Sequence, residues 1–490
     1  MARIKSSARI FQKPDIVVHE QYDVTLPDVV KVRDFLEGEP AVKRKKTTYL
    51  PHPNTAQAKN PGQDELYAAY LMGGEVEDFA ARTLESMLGR LNRNPVVYGL
   101  PSEIAYLEYD ADGDWTTLQE TVEAVANNIL AVNYHILVAE YERVPDGVAE
   151  LSVAQKQALG LRAYIRQYAR ESLYDWQFGK INGRTQLVYA KLVTSEVRRA
   201  EDGPYLHTDE LELFLDEQGY RQTLTKYKNA EPIGQPKAFI PMAMNKRLTY
   251  IPIEIVTADR TPKGTVPKKT GYIAPLVYKA HHRYQVSADL KEKLRIMQDT
   301  SYSSGWSEAN KEEFNSINGR QYFAFGAGVH NFLPQGVEID ILKMQADGDA
   351  HFKYLEMNAG EVQALGGRFN TSEKEVTATE VMDAAAEELA ELNLIANNIE
   401  SAFKRMLCYC AEFEGLTITP EKIEFSINRE FVAQNMTPDE VRAVRETFLD
   451  RLISREQAVQ KFIDGGFLRG EVDVILNDID DDLPEPETGV

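Results

Sequence analysis

Between Met382 and Phe413 the apolar residues fall in alternating three- and four-residue steps: Met382, Ala385, Leu389, Leu392, Ala396, Ile399, Phe403, Met406, Cys410 and Phe413. That spacing lays them along one side of an α-helix. Thr377-Ala-Thr-Glu380 puts a hydroxyl and a carboxylate at capping-box spacing, so the helix is expected to begin near Thr377. At about 1.5 Å per residue it would run roughly 50 Å unless the Asn397-Asn398 pair kinks it. Upstream, Asp349 caps a shorter expected helix with Phe352, Leu355, Ala359 and Val362 on its buried face and Gly366-Gly367 as its stop. The polar run from Gly367 to Val376 reads as the loop joining the two.

Other stretches carry the same kinds of signal. Leu66, Tyr70, Phe79, Leu84 and Leu88 predict helix from Asp64 to Leu91, divisible at Gly73-Gly74. A helix from about Thr116 to Asn133 feeds an expected strand from His135 to Tyr141. From Ala163 to Leu224 the pattern becomes β, with Asn182-Gly183 between two strand-like runs and a second strand-turn-strand from Leu211 to Leu224. Further strands are expected at 237–242 and 248–256, completing a modest antiparallel domain. Pro275 opens a helix reaching Gln298, with Leu276, Ala280, Tyr284, Leu290, Leu294 and Met297 available for packing.

Residues 299–345 read as a compact insert with a helix from Ser307 to Ile317, a turn at Asn318-Gly319, and strands at 321–325 and 337–342. After the long helix come a strand at 422–427 and two short helices. The first is capped by Thr437-Pro-Asp-Glu440 with Val441, Val444, Phe448 and Leu452 on one face; the second runs from Ser454 to Phe462. The chain begins basic, and Pro51, Pro53 and Pro61 imply extended structure around them. From Glu471 onward eight acidic and no basic residues predict a disordered tail. Taken together the pattern predicts an α+β protein.

The 43% apolar and 27% charged fractions suit a folded chain of 490 residues, for which two or three domains are the prior. No apolar run approaches the roughly 18 residues of a spanning helix, and the first residues lack a signal-peptide core, so no membrane association is expected. The net charge of −21 argues against broad DNA gripping, which needs surplus Lys and Arg, while acidic walls would let DNA slide past without sticking. Cys408 and Cys410, about 200° apart on a helix, are too few for a cysteine-built zinc site.

Candidate chemistry is sparse. Asp110-Ala-Asp-Gly-Asp114 alternates like a calcium loop, but Trp115 stands where Gly is needed and Thr121 where Glu is needed, which leaves an acidic turn. His281 and His282 point about 100° apart on a helix, which suits solvated or interface histidines rather than a shared metal. Gly326-Ala-Gly328 lacks the residues that complete a phosphate loop. No nucleotide, zinc-protease, serine-hydrolase or Cys-x-x-Cys motif is present, so a structural protein leads, with no catalytic residue, metal or cofactor assigned.

From about Arg33 to Phe467 the chain resembles the tailed-bacteriophage portal proteins, in a branch long catalogued as a domain of unknown function. The stretches that carry the resemblance are Arg33-Asp-x-x-x-Gly-Glu-x-Ala-Val-Lys43 with Tyr49-Leu-Pro51, and Tyr164-Ile-x-x-Tyr-x-x-Glu-Ser-x-x-x-Trp176 with Asn182-Gly183. They continue with Ala274-Pro-Leu-x-x-x-x-x-His-x-x-Tyr-x-x-Ser-Ala-Asp289, Glu361-Val-x-x-Leu-Gly-Gly-Arg-Phe369, Thr377-Ala-Thr-Glu380 and Ile453-Ser-Arg-Glu456. Their order is more specific than any one of them. One departure is the absence of proline after the helix opened by Pro275, where the chain reads Met297-Gln-Asp-Thr-Ser-Tyr-Ser-Ser-Gly305.

The resemblance implies a portal-like α+β fold: N-terminal arm and β-rich antiparallel wing (1–271), descending stem helix (272–298), small α/β clip (299–346) and ascending stem helix (347–365). It continues with a tunnel loop (366–376), a long bent wing helix with return strand (377–436), a helical crown (437–470) and the acidic tail (471–490). It implies a homo-oligomeric ring of about twelve subunits at one capsid vertex of the virion, assembled in the host cytoplasm. Double-stranded DNA would pass non-specifically through that ring, which would dock the terminase large subunit, then a neck or adaptor protein, and sit in the major capsid protein shell. Arg368, Asn370 and Lys374 of the loop would face DNA, with Glu361 and Glu373 limiting adhesion. Trp306, Glu308, Lys311 and Glu312, with Phe314 and Phe332, would serve the clip. Another head or neck structural protein, or a soluble hydrolase with an unrecognised carboxylate site, stands as the alternative.

Overall fold

The computed structural model describes residues 14–53, 63–141, 161–181, 183–201, 203–244, 246–296, 300–320, 331–342, 349–364, 378–429, 438–464, 472 and 475–476. The architecture is a mixture of helices and antiparallel sheets. Its centre is a three-stranded sheet in which Tyr134–Tyr141 lies between Ile253–Thr257 and Ala163–Tyr168. Seven of the eight residues of the middle strand are buried, because helices Leu118–Val132 and Ala378–Phe413 both pack on it. The first of these helices starts at a reciprocal cap: Glu120 N donates to Thr117 Oγ1 at 3.2 Å while Thr117 N donates to Glu120 Oε2 at 2.8 Å.

The 36-residue helix Ala378–Phe413 matches the expected span. Its buried stripe includes Leu392, Ala396, Ile399, Phe403, Met406, Cys410 and Phe413, and also Ile395, Ala402, Leu407 and Ala411. The stripe is wider than a single seam because the helix lies on a sheet and against other helices rather than on one partner rod. It runs unbroken through Asn397-Asn398. Asn398 spends its amide on the end of the central sheet, donating to Thr257 O at 2.8 Å, instead of competing for the helix backbone. Arg405 fixes the same helix to strand Ile253–Thr257 through two 2.8 Å bonds to the Glu254 carboxylate.

A second sheet has six strands in the order Leu173–Ile181, Arg184–Ala200, Gly203–Asp216, Gly219–Lys228 and Glu231–Pro232, with Lys237–Phe239 also paired to Gly219–Lys228. The first pair closes with Ile181 opposite Arg184, as the Asn182-Gly183 signal requires. Alternation sorts the two faces: Leu192, Leu211 and Leu224 lie in cross-strand register and join the core. On the opposite face Lys191 sits between Glu210 and Glu212 at 3.1 and 3.5 Å.

Several elements differ from expectation. Helix Glu20–Glu37 was not foreseen, since Pro27 inside it removes a backbone donor; buried Tyr22, Val29, Val32 and Phe35 hold it in place. The strands expected at 237–242 and 248–256 shrink to Lys237–Phe239, Met242–Ala243 and Ile253–Thr257. Val97–Gly99, unforeseen, pairs with Glu424–Ser426. The stretch from Asp64 to Leu91 is two helices, Gln63–Gly73 and Phe79–Leu91. Asp110 to Asp114 forms a turn: Asp110 Oδ1 accepts from Gly113 N and Trp115 N, and Asp112 Oδ1 accepts from Asp114 N and Thr116 N. In helix Pro438–Leu449 Val444 is buried but Phe448 is exposed, as is Leu452 just beyond it, so that face is only partly covered. The strand expected at 321–325 and all of the tail except Val472, Ile475 and Leu476, which are helical, lie outside the described residues.

Candidate functional site

The elements that sequence reasoning singled out lie between Ala274 and Phe413. Helix Ala274–Ile296 begins one residue before Pro275, whose missing amide costs nothing in a first turn. It buries Leu276, Val277, Ala280, Tyr284, Ala288 and Leu290; Leu294, expected to pack, is exposed. Asp349–Ala364 packs antiparallel against it. Lys279 pairs with Glu361, Arg283 Nη1 donates to Leu355 O at 2.7 Å, and Lys293 Nζ lies 3.5 Å from His351 Nδ1, so positions rise on one helix as they fall on the other.

Arg283 is buried, and its charge is balanced by Glu77, which accepts from Nε at 3.0 Å and from Nη2 at 2.5 Å. His281, expected to be solvated or at an interface, is half-buried. Its Nε2 donates to Tyr49 O at 2.8 Å, its ring meets Phe35 and Tyr49 edge-on, and burial pushes its pKa down, favouring the neutral imidazole. The expected buried face of the second helix is also rotated. Val362 is buried and Leu355 partly so, but Phe352 is 51% exposed and Asn358 takes the buried place. The exposed half of this helix therefore carries Phe352, Lys353, Glu356, Met357 and Glu361.

The insert between the two helices pairs Thr300–Ser304, a strand not expected from sequence, with Glu338–Leu342. At its far end Gly305 has φ +80°, and a Cβ there would stand 2.0 Å from Gly336 O, so only glycine fits. Helix Glu308–Asn318 follows, capped by Ser307 Oγ, which accepts from Asn310 N at 3.2 Å, and closed by Gly319 at φ +64°. Asn318 then imitates a strand neighbour: it accepts from Phe332 N at 2.9 Å and donates to Phe332 O at 2.8 Å. That clamp leaves the Phe332 ring 63% exposed.

The proposed site residues are thus placed as follows. Trp306 is half-buried, donates to Ser303 Oγ at 2.7 Å and meets buried Phe314 edge-on at 5.6 Å, which makes both rings part of the insert's own packing. Glu308, Lys311 and Glu312 are exposed on one face of the helix, with Lys311 2.8 Å from Glu308. Glu361 is exposed but paired with Lys279 rather than standing as a free carboxylate. Arg368, Asn370, Glu373 and Lys374 lie outside the described residues. Sequence reasoning passed over Lys279, Arg283 and Glu77, whose partners lie from 72 to 206 positions away. Among the described residues no group of three or more His, Cys, Asp or Glu could hold a metal ion, and no helix is long and apolar enough to cross a membrane.

Comparison with known proteins singles out the same region. Residues 273–414 match the family model described as a domain of unknown function (DUF4055). No curated protein matches. Among solved structures the chain is similar to one described as the virion of a native gene transfer agent (GTA) particle, at 11% identity, 82% of this chain, 94% of that chain and TM-score 0.40. It is also similar to one described as the neck of an empty GTA particle computed with C6 symmetry, at 12% identity, 82% and 93% coverage and TM-score 0.36. The neck of a native GTA particle computed with C12 symmetry gives 12% identity, 80% and 91% coverage and TM-score 0.36. At TM-scores below 0.5 these likenesses carry no weight for fold or function.

Proposed function

We propose that the chain is a portal subunit, one copy in a ring of about twelve at a single capsid vertex of a tailed-phage-like virion. What supports the reading is the order of elements over 274–413: two antiparallel helices separated by a small α/β insert, then a 36-residue helix, in a chain whose motifs follow portal order. In this reading the helix pair is the stem, the insert is the clip that docks the packaging motor and then the neck, and residues 366–376 form the tunnel loop. The protein is a conduit rather than an enzyme, and ATP hydrolysis belongs to a separate motor. Arg368 and Lys374 make weak phosphate contacts with passing DNA, while the −21 net charge keeps the passage from sticking.

Negative-stain electron microscopy with native mass measurement tests the ring directly. Rings of about twelve with a central channel are expected. A closed globular monomer that forms no channel even at high concentration would overturn the reading and favour a soluble enzyme. The loop is tested separately in particles carrying Arg368→Ala and Lys374→Ala. Reduced DNA retention is expected, and unchanged retention removes the loop from any DNA contact.

A further inference from the structure

The acidic chain carries a compact basic segment that its net charge conceals. Residues 259–271 connect strand Ile253–Thr257 to helix Ala274–Ile296 and read Asp-Arg-Thr-Pro-Lys-Gly-Thr-Val-Pro-Lys-Lys-Thr-Gly. Arg260, Lys263, Lys268 and Lys269 are all exposed, and none forms an ion pair among the described residues. The single acid of the segment, Asp259, accepts from Asn133 Nδ2 at 3.2 Å.

The two ends of the segment are held by their backbone. Asn398 of the long helix donates to Thr257 O at 2.8 Å and Asp259 O at 3.4 Å. Gln21 donates to Val266 O at 3.2 Å and Pro267 O at 3.0 Å. Buried Arg170 donates to Lys269 O at 2.7 Å and Thr270 O at 3.2 Å, and Asn133 adds a 3.0 Å bond to Lys269 O. Gly271 sits so close to the end of helix Leu118–Val132 that a Cβ would stand 2.5 Å from Ala131 O. Donors from four other parts of the fold thus draw the carbonyls inward, which leaves the basic side chains to face solvent.

Between this segment and Leu394 of the long helix lies an open cleft of about 530 Å³, whose lining combines Arg260, Lys268 and Lys269 with one acid, Asp259, and with Thr261 and Thr265. The Thr261 hydroxyl is buried at its wall and has no hydrogen-bond partner among the described residues. A cleft with a cationic rim and an unspent hydroxyl suits an oxyanion that accepts several hydrogen bonds at once. We infer that this basic segment is a phosphate-binding site, and that the phosphodiester backbone of double-stranded DNA is the ligand it takes. The last clause rests on the portal reading; the phosphate chemistry does not. Double-stranded DNA is favoured over an acidic protein surface because its phosphates repeat at a fixed close spacing, which cations spread over ten residues can engage together.

The test uses the full-length protein, a fluorescent DNA duplex and anisotropy titrations over a range of salt. One variant combines Arg260→Ala, Lys263→Ala, Lys268→Ala and Lys269→Ala; a control removes two exposed cations elsewhere, Lys237→Ala and Lys246→Ala. The four-fold variant should bind the duplex at least about tenfold more weakly near 0.1 M salt and lose about three to four from the slope of log affinity against log salt. The control should change only slightly. Thermal melting with inorganic phosphate or ATP, at matched ionic strength, forms the second arm. A saturable stabilisation that the four-fold variant loses would support the site with a free phosphate compound as its ligand.

If both variants bind duplex and phosphate like the parent, or the control loses as much as the four-fold variant, the inference fails. It also fails if the four-fold variant changes only the assembled mass, because the segment would then face another copy of the chain. The portal reading is judged apart, by ring formation. Rings whose phosphate binding does not depend on residues 260–269 overturn the inference alone, and a duplex-binding closed monomer that forms no channel even at high concentration overturns the portal reading alone.

Discussion

His135 shows how one buried side chain ties the fold to pH. It lies in the central strand Tyr134–Tyr141, and its Nε2 is 3.3 Å from Gln167 Oε1. Burial, with a smaller contribution from the Arg33 charge, pushes its pKa from 6.5 down to about 4. Between those values the unfolded chain binds a proton that the folded chain excludes. Stability is therefore complete above pH 6.5 and is lost as the pH falls toward 4, by about 3 kcal/mol at the limit. His281 is shifted in the same direction and adds to the slope. Urea midpoints at pH 7 and pH 5 should show His135→Gln losing clearly less stability than the parent. Equal losses would place the acid sensitivity elsewhere.

Among the elements, the packing of helix Gln63–Gly73 on helix Ala274–Ile296 turns on a single absent side chain. A Cβ on Gly74 would stand 2.4 Å from Tyr284 Cε2, and that ring is fully buried and has nowhere to move. Gly74→Ala should cost about 1–3 kcal/mol, read as a lower thermal midpoint, with Tyr284→Leu in the same chain restoring part of it. No recovery would mean that the glycine matters for its backbone and not for the ring. This pair also shows what the sequence could carry. Gly73-Gly74 reads as a break, but nothing local says that a tyrosine 210 positions onward fills the space. The long helix, the Asn182-Gly183 hairpin and the Ser307 to Gly319 helix were legible because their periodicity and caps are local. Helix Glu20–Glu37 was not, because Pro27 and a weak apolar stripe hide a segment that only distant packing holds. The basic segment at 260–269 escaped notice for the opposite reason: charge read over the whole chain averages away four exposed cations in ten positions.

At the scale of the whole molecule, the misplaced face of helix Asp349–Ala364 becomes informative. Sequence placed Phe352 inside, and the fold instead leaves it and Met357 on the exposed half of the helix, 51% and 56% accessible, with Leu294 of the paired helix at 47%. An apolar periodicity that one chain does not bury is what a subunit of a closed ring would carry, because part of its core is completed by the next copy. If the chain assembles as proposed, Phe352→Ser and Met357→Ser should each weaken the ring by about 1 kcal/mol per contact, since these side chains are already half covered. That penalty is repeated around the ring, so the subunit concentration needed for assembly should rise steeply while the melting temperature of the isolated subunit stays within a degree or two. Native mass measured across a dilution series separates the two quantities. A ring that survives dilution like the parent would move the subunit contact to another face, whereas a fall in monomer stability equal to the fall in assembly would show that Phe352 serves its own chain after all.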